Sequence, residues 1–204
     1  MTHTDLTHAY DNAAPKWDAK MRKLGYLAAY RGFLSHLPRR PVTRLCDMGA
    51  GTGGLTAAYL TQATCPRDVT LVDPSATMLD AATQRLPFAR PVTALLEDFT
   101  DPSGFDLILA SHVIEHCADP STAMQTLAAL IRPGGTLALI VSRPHWCQWF
   151  IWLRWRHRWY AAPDVMSWAE AAGLRLRHLH SFDAGPPSRT SFGYILEKPE
   201  RALP

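Results

Sequence analysis

From residue 43 onward, short and continuously apolar runs alternate with stretches of helical periodicity. TRLCDM (43–48), VTLVD (69–73), VTALL (92–96), FDLILA (105–110) and TLALIVS (136–142) predict strands: each is too short for a buried helix, and most are rich in branched residues. They are apolar throughout, without strict alternation, which is how strands read when helices cover both faces of a parallel sheet. Helical patterns fill the gaps at Thr52–Gln62, Thr77–Arg85 and Pro120–Arg132. The last of these opens after Asp119, a natural N-cap, and ends at Pro133-Gly134-Gly135. The C-terminal part differs. LRLRHLHSF (174–182) alternates strictly, AGPPSR reads as a turn, and FGYILEK (192–198) reads as its antiparallel partner. Residues 1–40 read as a helical cap. The sum is an α/β fold: a doubly wound, mainly parallel seven-stranded sheet with an antiparallel last strand, in one domain spanning 1–204.

Composition adds exclusions. A chain of 204 residues can bury a core without disulfide or metal staples. Its 47% hydrophobic and 19% charged residues describe a globular chain, and a net charge of +3 demands no polyanionic partner. The longest apolar runs are too short to span a bilayer, and the opening MTHTDLTHAYDN lacks the regions of a signal peptide. Four scattered cysteines, none in C-x-x-C spacing, read as reduced thiols. The expected compartment is the cytoplasm.

The strongest chemical signal is Asp47-Met-Gly49-Ala50-Gly51-Thr-Gly53-Gly54, between a strand and a helix. Glycine tolerates positive φ and lets a ligand approach the backbone, and the following helix start favours an anionic group. Asp73 ends the next strand, 20 residues after Gly53, where a carboxylate can accept two hydrogen bonds from a ribose diol. Without Asp73, the loop would read equally well as a plain glycine-rich turn.

LCDMGAGTGGLT, LVDPSATML, EDF, FDLILASHVIEHCADP and LIRPGGTLALIVSRP together resemble the class I S-adenosylmethionine-dependent methyltransferases, which share a Rossmann-like sheet. The small-molecule UbiE/UbiG-like branch is the most similar. The resemblance is strong over residues 40–145. It implies S-adenosylmethionine as methyl donor, S-adenosylhomocysteine as product and a small organic acceptor, to which a lid reading of the tryptophan-rich segment 145–160 gives aromatic or lipophilic character. It implies that Asp47, Gly49, Ala50, Gly51 and Gly53 hold the methionine part, Asp73 the ribose, and Pro74 and Met78 the surroundings of the adenine. It further implies that Asp98 meets the adenine amino group with Phe99 adjacent, and that Ser111 and His112 line the cofactor beside the acceptor. Tyr10 and Trp17 lie in a segment that in this family folds over the cofactor, and are either pocket residues or ordinary packing aromatics.

Gly49-x-Gly51-x-x-Gly54 also fits a dinucleotide fingerprint, and Tyr194-x-x-x-Lys198 has the spacing of a dehydrogenase pair. That pair works on a helix, and here it falls in strand-like sequence. Asp47 would face a pyrophosphate poorly and suits a sulfonium or ammonium better. His112-Val-Ile-Glu115-His116 matches a zinc-hydrolase string, which needs the middle of a long helix rather than a strand end. In the resemblance, an acid precedes Glu-His as a divalent metal site. His112 stands in that acid's place, so Glu115 and His116 read as structural and no metal is expected.

Residues 145–160, HWCQWFIWLRWRHRWY, hold five of the seven tryptophans at helical spacing. Within an insertion over 143–162, this segment reads as a packed cap, an acceptor-binding lid using Trp146, Trp149 and Arg154, a peripheral membrane contact, or a homodimer interface. Alignment and exclusion of water supply about 7–11 kcal/mol of such a reaction, and a base adds about 3–5. His145 and His112 are the candidate bases. The chain lacks both the N/D-P-P-Y/F run of exocyclic-amine methyltransferases and the lysines of ribose methyltransferases, which disfavours nucleic acid as acceptor. A cofactor-binding scaffold without turnover stays open.

Overall fold

The computed structural model describes residues 11, 16–146 and 158–200. Tyr10, Trp149, Arg154 and most of the Trp-rich insertion lie outside the described residues. Residues 16–23 are helical and lead into α1 (Tyr26–Leu34). There follow β1 (Arg44–Met48), α2 (Gly54–Leu60), β2 (Asp68–Asp73), α3 (Ala76–Arg85), β3 (Arg90–Thr93), β4 (Phe105–Ser111), α4 (Pro120–Leu130) and β5 (Ile131–Ser142). The C-terminal part adds α5 (Ala162–Ala171), β6 (Arg175–Ser181), α6 (Gly185–Thr190) and β7 (Ser191–Glu197).

The strands form one seven-stranded sheet in the order β3-β2-β1-β4-β5-β7-β6. The β1–β2, β2–β3, β1–β4 and β4–β5 pairs are parallel, whereas β7 runs antiparallel to both β5 and β6. Burial on both faces explains the unbroken apolar runs. Along β4, Leu107 and Leu109 join the cluster under α1 and α2, while Ile108 and Ala110 join the cluster under α4 and α5. Chain order reverses between β1 and β4, so a crevice opens beyond their C-terminal ends. Met48 pairs with Val72 on one side and Ala110 on the other, which sets Asp47, Asp73 and Ser111 at the same end of the sheet.

Four local expectations change. The VTALL run is not one strand: β3 ends at Thr93, and Leu96–Asp98 turn as a 3₁₀ helix that buries Leu96 in the core. AGPPSR is not a plain turn, because Gly185–Thr190 form a short helix with proline in its first turn, where a missing N–H costs nothing. Ala162–Ala171 form a helix absent from the sequence reading, with Val165 and Ala169 buried four residues apart. Finally, β5 starts at Ile131 and runs through the glycines, since Gly134 donates to Lys198 and Lys198 to Gly135.

Candidate functional site

β1 hands over to α2 through a turn in which Gly49, Gly51 and Gly53 have φ of 68°, 52° and 73°. At Gly49 a Cβ would come within 2.5 Å of the Val113 methyl, so glycine is required by both conformation and space. At Gly51 a Cβ would meet nothing within 4 Å, which leaves its backbone open to a ligand. The Gly51 N–H donates to Asp73 Oδ2 at 2.8 Å, and the Ser75 N–H donates to Asp73 Oδ1 at 2.9 Å. Ser75 in turn caps α3 by accepting from the Met78 N–H at 3.0 Å. Asp47 is buried at 1% exposure and accepts from the Thr56 N–H at 3.2 Å and its hydroxyl at 2.6 Å. Burial pushes the Asp47 carboxyl up to about 7 and that of Asp73 up to about 6.

These groups form one wall of a cavity of about 290 Å³. Asp47, Gly49, Ala50, Gly51, Asp73, Pro74 and Met78 line it, as does Trp17 from the helical residues 16–23. Tyr26, Tyr30, Ser111, His112, Ser142 and Thr190 form a further part of its wall. Gly53 is not part of the lining: its missing Cβ faces Leu86 at 3.0 Å and lets α2 pack on α3.

Asp98 and Phe99 also fall outside the lining, which runs through Ala94, Leu95, Leu96 and Glu97. Within the Leu96–Asp98 3₁₀ turn, which advances about 120° per residue, Glu97 faces the cavity and Asp98 does not line it. Phe99 stacks on Phe105 inside the core. His145 and Trp146 lie beyond the lining, and Trp146 is 69% exposed. The Tyr160 N–H donates to the carbonyl of Ser142, a residue of the lining, at 2.9 Å.

His112 has φ of 58°, the one positive value at a non-glycine among the described residues. Its Nδ1 lies 2.9 Å from Glu115 Oε1 and 3.1 Å from Ser142 Oγ, and its Nε2 lies 3.4 Å from Ser191 Oγ. Glu115 is 2% exposed and accepts the Ser142 N–H at 2.7 Å. A carboxylate acceptor at Nδ1 favours the tautomer with the proton there and the lone pair on Nε2. From Nε2 a chain of hydroxyls runs through Ser191, Thr190 (3.3 Å) and Tyr26 (3.1 Å) to the cavity wall. Tyr30 bonds Ser111 at 3.2 Å. The sequence reading missed Tyr26, Tyr30, Thr190 and Ser191. The i, i+4 spacing of the two tyrosines was the available signal.

The competing motifs have structural uses. Residues 114–116 form a turn rather than a helix, unlike the setting of a zinc-hydrolase string. Tyr194 is buried at 1% exposure, and the Lys198 ammonium donates to the Ala128 and Ile131 carbonyls at the far end of the sheet. Cys46, Cys65 and Cys117 are free thiols.

A doubly wound sheet with a glycine turn facing a carboxylate at the end of β2 defines a nucleoside-binding α/β protein. Residues 12–183 match the model of the methyltransferase domain family, and the chain belongs to that family, within the class I S-adenosylmethionine-dependent methyltransferases. It is 34% identical over 115 residues to trans-aconitate 2-methyltransferase of Azoarcus sp. (strain BH72), covering 56% of this chain and 45% of that protein. It is 29% identical over 174 residues to ubiquinone biosynthesis O-methyltransferase of Nitrobacter winogradskyi, covering 77% and 60%. The chain thus spans about half the length of the curated relatives it matches. Its fold matches N-methyltransferase NodS from Bradyrhizobium japonicum WM9, solved with S-adenosylhomocysteine, with a TM-score of 0.72, 18% identity and coverage of 97% and 98%. The family uses S-adenosylmethionine as methyl donor. No helix among the described residues is long and apolar enough to cross a membrane.

Proposed function

We propose that the protein methylates a small organic acceptor of aromatic or lipophilic character that carries a protonated nucleophile, using S-adenosylmethionine. The supporting observation is that one cavity joins the Gly49–Asp73 wall to the Tyr26–Tyr30–His112 wall. The residues present suit the donor: an open backbone at Gly51, a buried carboxylate at Asp73 for a ribose diol, and apolar flanks at Pro74, Met78 and Leu95 for a purine. When bound, the cofactor supplies a methyl group activated by a sulfonium.

The protein's part is alignment and proton removal. Leu24, Leu27, Tyr26 and Tyr30 give the acceptor an apolar seat and exclude water from the reacting atoms. Glu115 orients His112, which itself lines the cavity and takes the acceptor's proton at Nε2, while the Thr190 hydroxyl, donating to the Pro186 carbonyl, positions the Tyr26 hydroxyl. His145, outside the cavity wall, has no part in this scheme.

The test is transfer of tritiated methyl to a panel of phenols, amines and carboxylic acids, alongside calorimetry with S-adenosylhomocysteine and with NAD. Uptake of the nucleoside and labelling of an acceptor support the proposal. Binding of NAD alone refutes the cofactor assignment. Cofactor binding without labelling across the panel refutes the acceptor class.

A further inference from the structure

On the outer strand of the sheet, away from the cavity, the structure brings three histidines together. His178 and His180 stand two residues apart on β6, opposite Ile195 and Gly193 of β7. His36 reaches them from the turn just after α1. One ring nitrogen from each lies within 4.8 Å of the other two. The His36 and His178 rings stack with centroids 3.9 Å apart, and His36 and His180 lie 5.2 Å apart. The His178 Nε2 is buried and has no hydrogen-bond partner, an arrangement that is costly unless something else accepts its lone pair.

We propose that His36, His178 and His180 bind a divalent transition-metal ion of the Zn²⁺ type, with a fourth position left to solvent. Three neutral imidazoles suit zinc, nickel or copper and are poor ligands for magnesium or calcium. Tetrahedral zinc at about 2.0–2.1 Å from each nitrogen sets them about 3.4 Å apart. The present spacing therefore closes by side-chain rotation alone. The exposed His36 swings out of its stack, with smaller turns of the half-buried His178 and His180.

The neighbouring packing keeps that pair in place. Phe182 lies edge-on to His180 at 4.9 Å, and Phe33 packs against His180 at 5.7 Å. Phe33 fits because Gly193 opposite it has no Cβ, which would otherwise sit 2.5 Å from the ring. Burial, reinforced by the neighbouring imidazoles, lowers the proton affinity of His178 and His180, with Asp183 opposing it at His180. Both rings therefore favour the neutral form that metals need. Bound metal would fasten the end of α1 to β6, and α1 carries Tyr26 and Tyr30 into the cavity.

The experiment uses the full chain, free of any affinity tag and stripped with chelator, titrated with ZnCl₂ by calorimetry and followed by thermal unfolding. The expected result is one zinc per chain and a higher melting temperature, with no uptake of Mg²⁺. His36→Gln, on an exposed residue, should weaken zinc binding at least 10-fold, and His178→Gln with His180→Gln at least 100-fold. Circular dichroism confirms that each variant is folded. Absence of zinc uptake overturns the proposal. So does equal affinity in wild type and His36→Gln, or loss of the zinc on His112→Gln or His116→Gln in the cavity.

Discussion

Asp73→Asn separates what the β2 carboxylate does for binding from what it does to stability. The wild-type carboxylate accepts two backbone N–H groups, yet burial still raises its pKa from 3.8 to about 6. Because the folded value is the higher one, this residue's contribution to stability is fully present below 3.8. It is lost as pH rises through 6. At pH 8 ionisation costs the unloaded protein about 3 kcal/mol. Asparagine removes the charge, but its amide NH₂ then faces one of the two backbone donors, a mismatch of about 1–3 kcal/mol. The two effects oppose, so the unloaded variant should be as stable as wild type or more stable by up to about 2 kcal/mol. Cofactor binding should move the other way. A hydroxyl donating to a carboxylate is worth about 1.5–3 kcal/mol, so affinity for S-adenosylhomocysteine should fall about 10- to 150-fold. Urea unfolding and calorimetry at pH 8 measure the two quantities on one sample. An affinity within twofold of wild type refutes the ribose assignment. A stability loss above 3 kcal/mol refutes the charge-burial reasoning.

Gly193→Ala places a Cβ 2.5 Å from the Phe33 ring and should lower stability by about 1–3 kcal/mol in urea unfolding. An unchanged midpoint would show that α1 does not press on β7. His112→Asn keeps a residue that tolerates left-handed backbone but removes the base, so kcat should fall about 10²- to 10⁴-fold with nucleoside affinity changed little. Steady-state rates on a labelled acceptor decide, and a fall below threefold would move the proton elsewhere. Asp47, raised by burial to about 7, should be about half protonated in the unloaded protein at neutral pH. A cationic ligand favours its ionised form, so binding S-adenosylmethionine at pH 7 should release about half a proton, seen as buffer-dependent heat that vanishes at pH 9 and in Asp47→Asn. Binding without release at pH 7 would place the cationic groups of the ligand away from Asp47.

The sheet was legible wherever both of its faces are covered. β1, β2 and β4 and the second half of β5 are mostly apolar, without strict alternation, because α1 and α2 lie on one side and α4 and α5 on the other. The signal failed at the margins. In VTALL the apolar run continues past Thr93, but Leu96 reaches the core from a 3₁₀ turn, and hydrophobicity alone does not distinguish that from a strand. Pro186 and Pro187 suggested a turn, although the first turn of a helix tolerates proline equally well. The helix Ala162–Ala171 buries only Val165 and Ala169, too thin a stripe to stand out beside the Trp-rich insertion.

The site divides along the same line between local and distant information. Its nucleoside half was readable because one strand–turn–helix unit and the end of the next strand supply Asp47, the glycines and Asp73, and each position has a backbone reason for its residue type. Its acceptor half was not, because folding alone assembles it. Tyr26 meets Thr190 across 164 residues, and Ser191 meets His112 across 79. The cap helix α1 and the antiparallel β7 bring those hydroxyls to the end of β4. Sequence did identify His112, but as a residue beside the cofactor and one of two candidate bases. What gives it a definite chemical form is Glu115 at Nδ1, in a segment that had suggested a metal site. The carboxylate that fixes the imidazole tautomer is held by the Ser142 N–H, so the fifth strand helps orient a residue at the end of the fourth. Moving that register by one residue would turn Ser142 away and leave Glu115 buried without its backbone donor. The pairing of β4 with β5 is therefore part of the site.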